Sequence, residues 1–200
     1  MGLGNPSVEE HMDKLFGKER ADRLRERFQS KIHSPYEREA YIVDEMKRAL
    51  EEMGGKFVLP FRFRNAENTR TTHHLFFISK SFRGYEIMRE IMYSHSHKEQ
   101  GVAKFEYNPA DSRWPSLFEF LRPLEDLEEM LLNDYAGKTT GLKTLFESHS
   151  IGKPYVVKNY RDVLCRMEAE GKISMQPPCP PRRKATIGEK VMITFPARQK

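Results

Sequence analysis

Basic and amide side chains stand at the beginning of a predicted helix over residues 159–170. Lys158, Asn159 and Arg161 lie at its start. Arg166 follows about a turn and a half further along. Arg and Asn side chains form bidentate hydrogen bonds with the edges of guanine and adenine, and the first residues of a recognition helix face the major groove of DNA. These residues therefore predict a helix that contacts nucleic acid.

A second run of basic residues follows a proline-rich stretch. Arg182, Arg183 and Lys184 come directly after residues 177–181, which read PPCPP. Cationic side chains at the tip of a loop can contact phosphates or enter a minor groove. The prolines reduce the entropy that is lost when such a loop becomes ordered. We therefore predict that these three residues also bind nucleic acid.

The charge of the chain is distributed unevenly. The 200 residues carry a net charge of +5. Residues 151–200 contain 11 Lys and Arg against 4 Asp and Glu, whereas residues 1–150 contain 23 against 25. The positive excess therefore lies in the last quarter of the chain, which indicates a nucleic-acid contact there. A solvated basic tail without a partner is the alternative.

The elements predicted around these residues follow the order of a winged helix. Apolar residues recur at helical spacing in three segments and form short apolar runs in two more: 124–132, 142–149 and 159–170, then 173–175 and 191–195. Three helices followed by a hairpin with a basic loop predict a winged helix-turn-helix domain over residues 115–197. A winged helix that serves only protein contacts is the alternative.

A different pattern precedes this domain, and we assign residues 1–97 to an α/β unit and residues 98–114 to a linker. An ordered loop that lies on the α/β unit is the alternative for the linker. The predicted elements of the unit are a charged helix interrupted at Gly17 (7–29), a helix capped by Ser34 (35–53), two strands of a hairpin (56–64 and 73–80) and a last helix (84–93). Pro60 favours an edge position or a bulge for the first strand. The apolar run at 75–78 predicts burial of the second strand on both faces. The fold class is α/β, or α+β over the whole chain.

The histidines of the first half do not form a metal site by their spacing. His73 and His74 are adjacent on a predicted strand and therefore point to opposite faces. His95 and His97 have no carboxylate or cysteine partner at the spacing of a zinc motif. We therefore interpret these histidines as satisfied or exposed side chains and predict no metal ligand.

Motifs for cofactors, nucleophiles and export are not found in the sequence. It contains no Walker A loop and no G-x-G-x-x-G turn. The two cysteines, Cys165 and Cys179, are too few for a disulfide framework, and neither is predicted to be a nucleophile. No apolar run has the length of a membrane span, and the first residues lack the apolar core of a secretory signal. We therefore expect a soluble, cytoplasmic protein with no catalytic or cofactor-binding residue in this chain.

Four stretches of the first half occur in a recognisable order. They are EHMDKLFG (10–17), FVLPFRF (57–63), RTTHHLFFISK (70–80) and GYEIMREIMY (84–93). This order resembles the C-terminal half of the three-Cys-motif partner (TcmP) family, whose members are Rossmann-like relatives of S-adenosylmethionine-dependent methyltransferases and often end in a winged helix. The resemblance covers roughly residues 9–195 and implies that residues 1–97 are a partial Rossmann-like unit of helices and an antiparallel hairpin.

The resemblance also implies partners and a setting. The donor-binding half of the family has no counterpart among these residues, so S-adenosylmethionine is a cofactor by resemblance only. A radical-S-adenosylmethionine-like partner protein with three cysteines is implied, as is a homodimer or pairing with a separate donor-binding half. An incomplete sheet leaves an open strand edge, which favours such pairing.

Three hypotheses about function follow from these observations. The first is a nucleic-acid-binding or adaptor module of a methyltransferase-like system, with no catalytic activity of its own and with DNA or RNA as its partner. The second is a subunit or fragment of a methyltransferase that uses S-adenosylmethionine. The third is a stand-alone transcriptional regulator that binds DNA through its winged helix.

Overall fold

The computed structural model describes residues 6–30, 34–65, 67, 69–96, 98–99, 102–103, 105–107, 123–178, 186–188 and 190–197. The chain forms two compact units. One consists of Met1–Pro60 with Phe76–Tyr85, and the other of Phe61–Leu75 with Glu86–Lys200. Within the described ranges, no helix is long and apolar enough to cross a membrane. The predicted domain boundaries at 97 and 115 stay a prediction.

Three helices form most of the first unit: α1 (Pro6–Phe16), α2 (Lys18–Ser30) and α3 (Pro35–Glu52). Gly17 separates the first two with a φ of 78°, a left-handed conformation that glycine adopts without strain. The predicted interruption at this glycine is therefore confirmed. The buried residues Met12, Phe16, Ala21 and Leu24 form the core, and Tyr41, Ile42 and Met46 of α3 pack against it.

Helix α3 begins with the capping box that the sequence predicts. The backbone N–H of Glu37 donates to Ser34 Oγ at 3.2 Å, and the backbone N–H of Ser34 donates to Glu37 Oε2 at 2.8 Å. Two donors that the helix itself leaves without acceptors are thereby satisfied. The helix ends at Glu52, one residue before the predicted end. Gly55 follows three residues later, and a Cβ at this position would lie 2.7 Å from the backbone oxygen of Leu50.

The predicted hairpin consists of β1 (Phe57–Arg64) and β2 (Thr71–Ser79), and α4 (Phe82–His95) follows it. In the sheet, β1 lies between β2 and a later strand. The edge position that Pro60 suggested is therefore wrong. The later strand pairs in parallel with Arg62 and Phe63, so the described part of that ladder needs no N–H from Pro60.

The expectation that β2 is buried on both faces is also wrong. Leu75 is 47% exposed and Ile78 is 45% exposed. Among the described strands, β2 has only β1 as a neighbour, and every residue of β2 is at least partly exposed. The continuous apolar run was therefore a misleading signal for burial.

Three short strands lie within the predicted linker. They are β3 (Lys98–Glu99), β4 (Val102–Ala103) and β5 (Glu106–Tyr107). The first two pair antiparallel, and β5 is the strand that pairs with β1. An ion pair supports that pairing, because Arg62 Nε donates to Glu106 Oε2 at 2.9 Å. Apart from these strands and Phe105, the linker lies outside the described residues.

The C-terminal part contains three helices and a small sheet. They are α5 (Pro123–Asp134), β6 (Thr139–Gly141), α6 (Leu142–His149), α7 (Val157–Ala169), β7 (Ser174–Gln176) and β8 (Met192–Thr194). The strands are antiparallel in the order β6-β8-β7. Strand β6 was not predicted, because a Thr-Thr-Gly segment has no alternating apolar pattern. The protein is therefore a mixed α+β chain with small sheets, in which the pairings at β3-β4 and β6-β8-β7 are antiparallel.

A compact apolar core holds the three C-terminal helices together. Leu127 and Leu131 of α5 are fully buried at a spacing of four residues. Leu145 of α6, Leu164 of α7 and Ile193 of β8 are also fully buried. Burial of side chains of this size stabilises the domain by about 1.5–3 kcal/mol each before entropy costs, so packing rather than helix propensity holds the short helix α6 in place.

Candidate nucleic-acid interface

Helices α6 and α7 form a helix-turn-helix with a turn at residues 150–156. At the start of α7, Asn159 Oδ1 accepts a hydrogen bond from the backbone N–H of Val156 at 3.0 Å. Asn159 is 3% exposed. The side chain therefore caps its own helix, and its amide lies away from solvent.

Two of the predicted contact residues lie at the surface of the first turns of α7. Lys158 and Arg161 are both exposed and are three positions apart, so they lie on neighbouring parts of one helix surface. Within the part of the chain that the structure describes, neither forms an ion pair or a side-chain hydrogen bond. Asp162 is exposed beside Arg161, and Cys165 is half-buried one turn later. Both cations can therefore reach a ligand without breaking an internal contact.

Arg166 has a different environment, because it belongs to an ion-pair network. Its Nη2 lies 2.9 Å from Glu128 Oε2 on α5, and Lys172 Nζ lies 2.5 Å from Glu128 Oε1. Burial raises the pKa of Glu128, but hydrogen bonds from Lys172 and Arg166 outweigh it and hold the pKa below its usual range. Arg166 thus ties the end of α7 to α5.

The three basic residues of the predicted wing fall in the connection between β7 and β8. The first strand ends at Gln176 and the second begins at Met192. Arg182, Arg183 and Lys184 lie outside the described residues, as does Cys179. Their contact with nucleic acid stays a prediction.

A buried histidine network, which the sequence analysis missed, joins the three helices. His149 Nδ1 lies 2.7 Å from the hydroxyl oxygen of Tyr160, and His149 Nε2 lies 3.3 Å from Asp134 Oδ2. Burial lowers the pKa of His149 below its usual value, and the positive charge of Lys153 adds to this effect, whereas Asp134 acts in the opposite direction. The burial of His149 could have been predicted from its spacing, because it follows Leu145 by four residues and lies on the same buried face of α6.

A buried arginine was missed as well. Arg89 of α4 is 1% exposed. Its Nη1 donates to Ser150 O at 2.8 Å, and its Nη2 donates to Lys153 O. The position of Arg89 in the sequence could have indicated its burial, because Arg89 shares one helical face with Tyr85 and Met92. Both of these residues are also buried.

Of the other predicted histidines, His73 packs against an aromatic ring. His73 stacks on the ring of Phe63 with centroids 4.3 Å apart, and its Nδ1 lies 3.0 Å from Thr72 Oγ1. Among the described residues, no cluster of three or more His, Cys, Asp or Glu side chains could hold a metal ion. His97 lies outside the described residues.

Comparison with known proteins identifies the C-terminal region. Residues 106–179 match the family model of the GMT-like wHTH domain. No curated protein matches the chain, and no solved structure matches it either. The matched residues include α5, α6, α7 and β7, so the C-terminal half contains a winged helix-turn-helix domain. The likeness of the first half to the TcmP family remains a resemblance of sequence.

Proposed function

We propose that the winged helix-turn-helix domain binds duplex DNA and that α7 is its recognition helix. The observation that carries the proposal is the exposure of Lys158 and Arg161 near the start of α7, without internal partners among the described residues. A recognition helix uses its N-terminal residues at the floor of the major groove. Arg161 offers a bidentate donor for guanine, and Lys158 offers a charge for a phosphate.

The groove dimensions favour DNA over duplex RNA as the ligand. An α-helix with its side chains is about 10–12 Å across, and the major groove of B-DNA is about 12 Å wide. The major groove of A-form RNA is too narrow for a helix. A helix that reads bases through its first turns therefore requires B-form DNA.

The other predicted contact residues take different roles in this proposal. Arg182, Arg183 and Lys184 supply phosphate contacts from the wing. Arg166 and Asn159 are left out of the contact surface, because Arg166 bonds Glu128 and Asn159 caps α7.

The test is a binding titration of the full chain by fluorescence anisotropy at several salt concentrations, with a duplex DNA and a duplex RNA of the same sequence. The double variant Lys158→Ala/Arg161→Ala is expected to bind DNA at least about tenfold more weakly, with a salt slope smaller by about 1–2. The matched control is Lys18→Ala/Arg38→Ala, which removes two exposed cations of the first unit. Equal loss in both variants would attribute the binding to net charge and contradict the role of α7.

Alanine substitution of both Arg182 and Arg183 tests the wing separately. We expect weaker binding to all sequences and a smaller salt slope, because phosphate contacts carry no sequence information. An affinity equal to that of the unchanged chain would remove the wing from the interface.

The wider setting rests on the TcmP resemblance. In it, the domain serves as the DNA-binding or adaptor module of a methyltransferase-like system, with a three-cysteine partner protein and a separate donor-binding half. Calorimetry with S-adenosylmethionine, on the chain alone and on its mixture with such a half, tests this role. Absence of heat in both samples would leave the stand-alone DNA-binding regulator as the function.

A further inference from the structure

The turn of the helix-turn-helix receives two hydrogen bonds from an arginine outside the matched residues. Arg89 belongs to α4, whereas the family match begins at residue 106. Its guanidinium donates to the carbonyls of Ser150 and Lys153. It also lies 5.8 Å from the ring centroid of Phe105 and 6.0 Å from that of Phe146. Attraction to the faces of these two rings adds to the hydrogen bonds that hold the guanidinium near the two carbonyls.

The bonded carbonyls lie where α6 ends and the turn begins. The last carbonyls of a helix have no partner within the helix, and the negative end of the helix dipole attracts cations. Ser150 O also accepts the backbone N–H of Lys153 at 3.1 Å, and Lys153 Nζ donates to His149 O at 2.8 Å. Arg89 therefore bridges both ends of the segment from Ser150 to Lys153, in which Ile151 and Gly152 are exposed.

The turn contains a glycine in a left-handed conformation. Gly152 has a φ of 74°, and a Cβ at this position would meet no atom within 4 Å. Only two residues separate Lys153 from Val156, whose N–H is held by the cap of α7. The direction in which α7 leaves the turn is thus determined close to the two carbonyls that Arg89 binds.

We infer that Arg89 is a positioning residue for DNA recognition: by fixing the turn at 150–156, it sets the direction of α7 and the placement of Lys158 and Arg161. The inference rests on the proposed function. It makes α4 part of the DNA-binding unit, which is larger than residues 106–179. Arg89 itself is buried and does not touch the DNA.

The first measurement is amide hydrogen exchange of the full chain without DNA. Arg89→Met retains a long apolar side chain but removes all donors, and we expect the Lys153 amide to exchange at least about tenfold faster. Met92→Ala is the matched control, because Met92 is buried on the same helix and its side chain makes no hydrogen bond among the described residues. It lowers global stability but leaves the local exchange of Lys153 unchanged. Equal exchange of Lys153 in Arg89→Met and the unchanged chain overturns the inference.

The second measurement is the affinity for duplex DNA under conditions in which every variant is folded. Arg89→Met is expected to bind at least about fivefold more weakly, whereas Met92→Ala binds within about twofold of the unchanged chain. Arg89→Lys retains a cation that can reach one carbonyl, so it is expected to give intermediate exchange and affinity. If Arg89→Met does not fold, Arg89→Lys decides the question, and exchange equal to that of the unchanged chain overturns the inference.

The outcomes separate the two proposals. If the unchanged chain does not bind duplex DNA, the proposed function fails, and the inference fails with it. If the unchanged chain binds and Arg89→Met binds equally well, only the positioning role of Arg89 is overturned.

Discussion

The imidazole of His149 and the hydroxyl of Tyr160 lie 2.7 Å apart in the interior of the winged helix-turn-helix domain. His149 is the last residue of α6, and Tyr160 lies in the first turn of α7. Both residues are buried. This contact therefore joins the two helices of the motif directly, in addition to the chain that connects them.

Removal of the Tyr160 hydroxyl leaves a buried imidazole nitrogen without its partner. We expect Tyr160→Phe to lower the free energy of unfolding by about 1–3 kcal/mol, measured by denaturant unfolding at pH 7. Tyr155→Phe is the control, because Tyr155 is also buried but its hydroxyl forms no hydrogen bond with a described residue. A loss of equal size in both variants would show that the hydroxyl contact with His149 contributes nothing specific.

The stability of the domain is expected to depend on pH through His149. Its pKa in the folded protein lies below the value near 6.5 that it has when unfolded. The unfolded chain therefore binds the proton more readily, so stability is full above about pH 6.5 and falls as the pH drops below it. Melting temperatures of the unchanged chain and of His149→Gln between pH 5 and 8 check this. The difference between them should shrink towards pH 5, and a constant difference would contradict the assignment.

Glu128 is expected to contribute stability at neutral pH and to lose that contribution in acid. Its pKa in the folded protein lies below the usual value, so the folded state favours the ionised form. The contribution is present above about pH 4.3 and is lost as the pH falls further. Because Arg166 and Lys172 are more than one third exposed, solvent screens the pairs, and we expect Glu128→Gln to cost about 1 kcal/mol at pH 7. Urea unfolding of the unchanged chain and of Glu128→Gln at pH 7 and pH 3 measures this loss in the free energy of unfolding. An equal loss at both pH values would contradict this account.

The capping box of α3 is expected to stabilise the first unit. Ser34→Ala removes the acceptor of the Glu37 N–H and should cost about 1 kcal/mol, whereas Ser34→Asp keeps an acceptor and should cost less than about 0.5 kcal/mol. Thermal unfolding followed by circular dichroism compares the two. Equal melting temperatures for both variants would show that the cap is energetically unimportant.

The order of elements was predictable because its signals are local. The capping box at Ser34 and the break at Gly17 depend on residues within a few positions of each other. The three C-terminal helices follow from apolar spacing within each segment. Strand β6 was missed for the same reason, because its three residues gain their order from pairing with β8, more than fifty positions away.

The individual contact residues were less predictable. By residue type, the four predicted contact residues of α7 and its start were equally suited to bind nucleic acid. In the structure, Lys158 and Arg161 are exposed cations, whereas Asn159 is a buried cap. Arg166 belongs to an ion-pair network. The acceptor of Arg166 is 38 positions away in the chain, and no pattern around Arg166 points to it. The apolar run of β2 misled for a similar reason, since burial depends on which elements cover a strand.

The sequence by itself determined the helices, the hairpins and the basic character of the C-terminal quarter, because backbone preference, capping and apolar periodicity act between near neighbours. Only the tertiary structure decided which charged side chains are exposed to a ligand and which are bonded within the protein. Arg89 illustrates this, because its carbonyl partner Ser150 lies 61 positions away. The desolvation of such a group, and the bonds that offset it, exist only after the chain has folded.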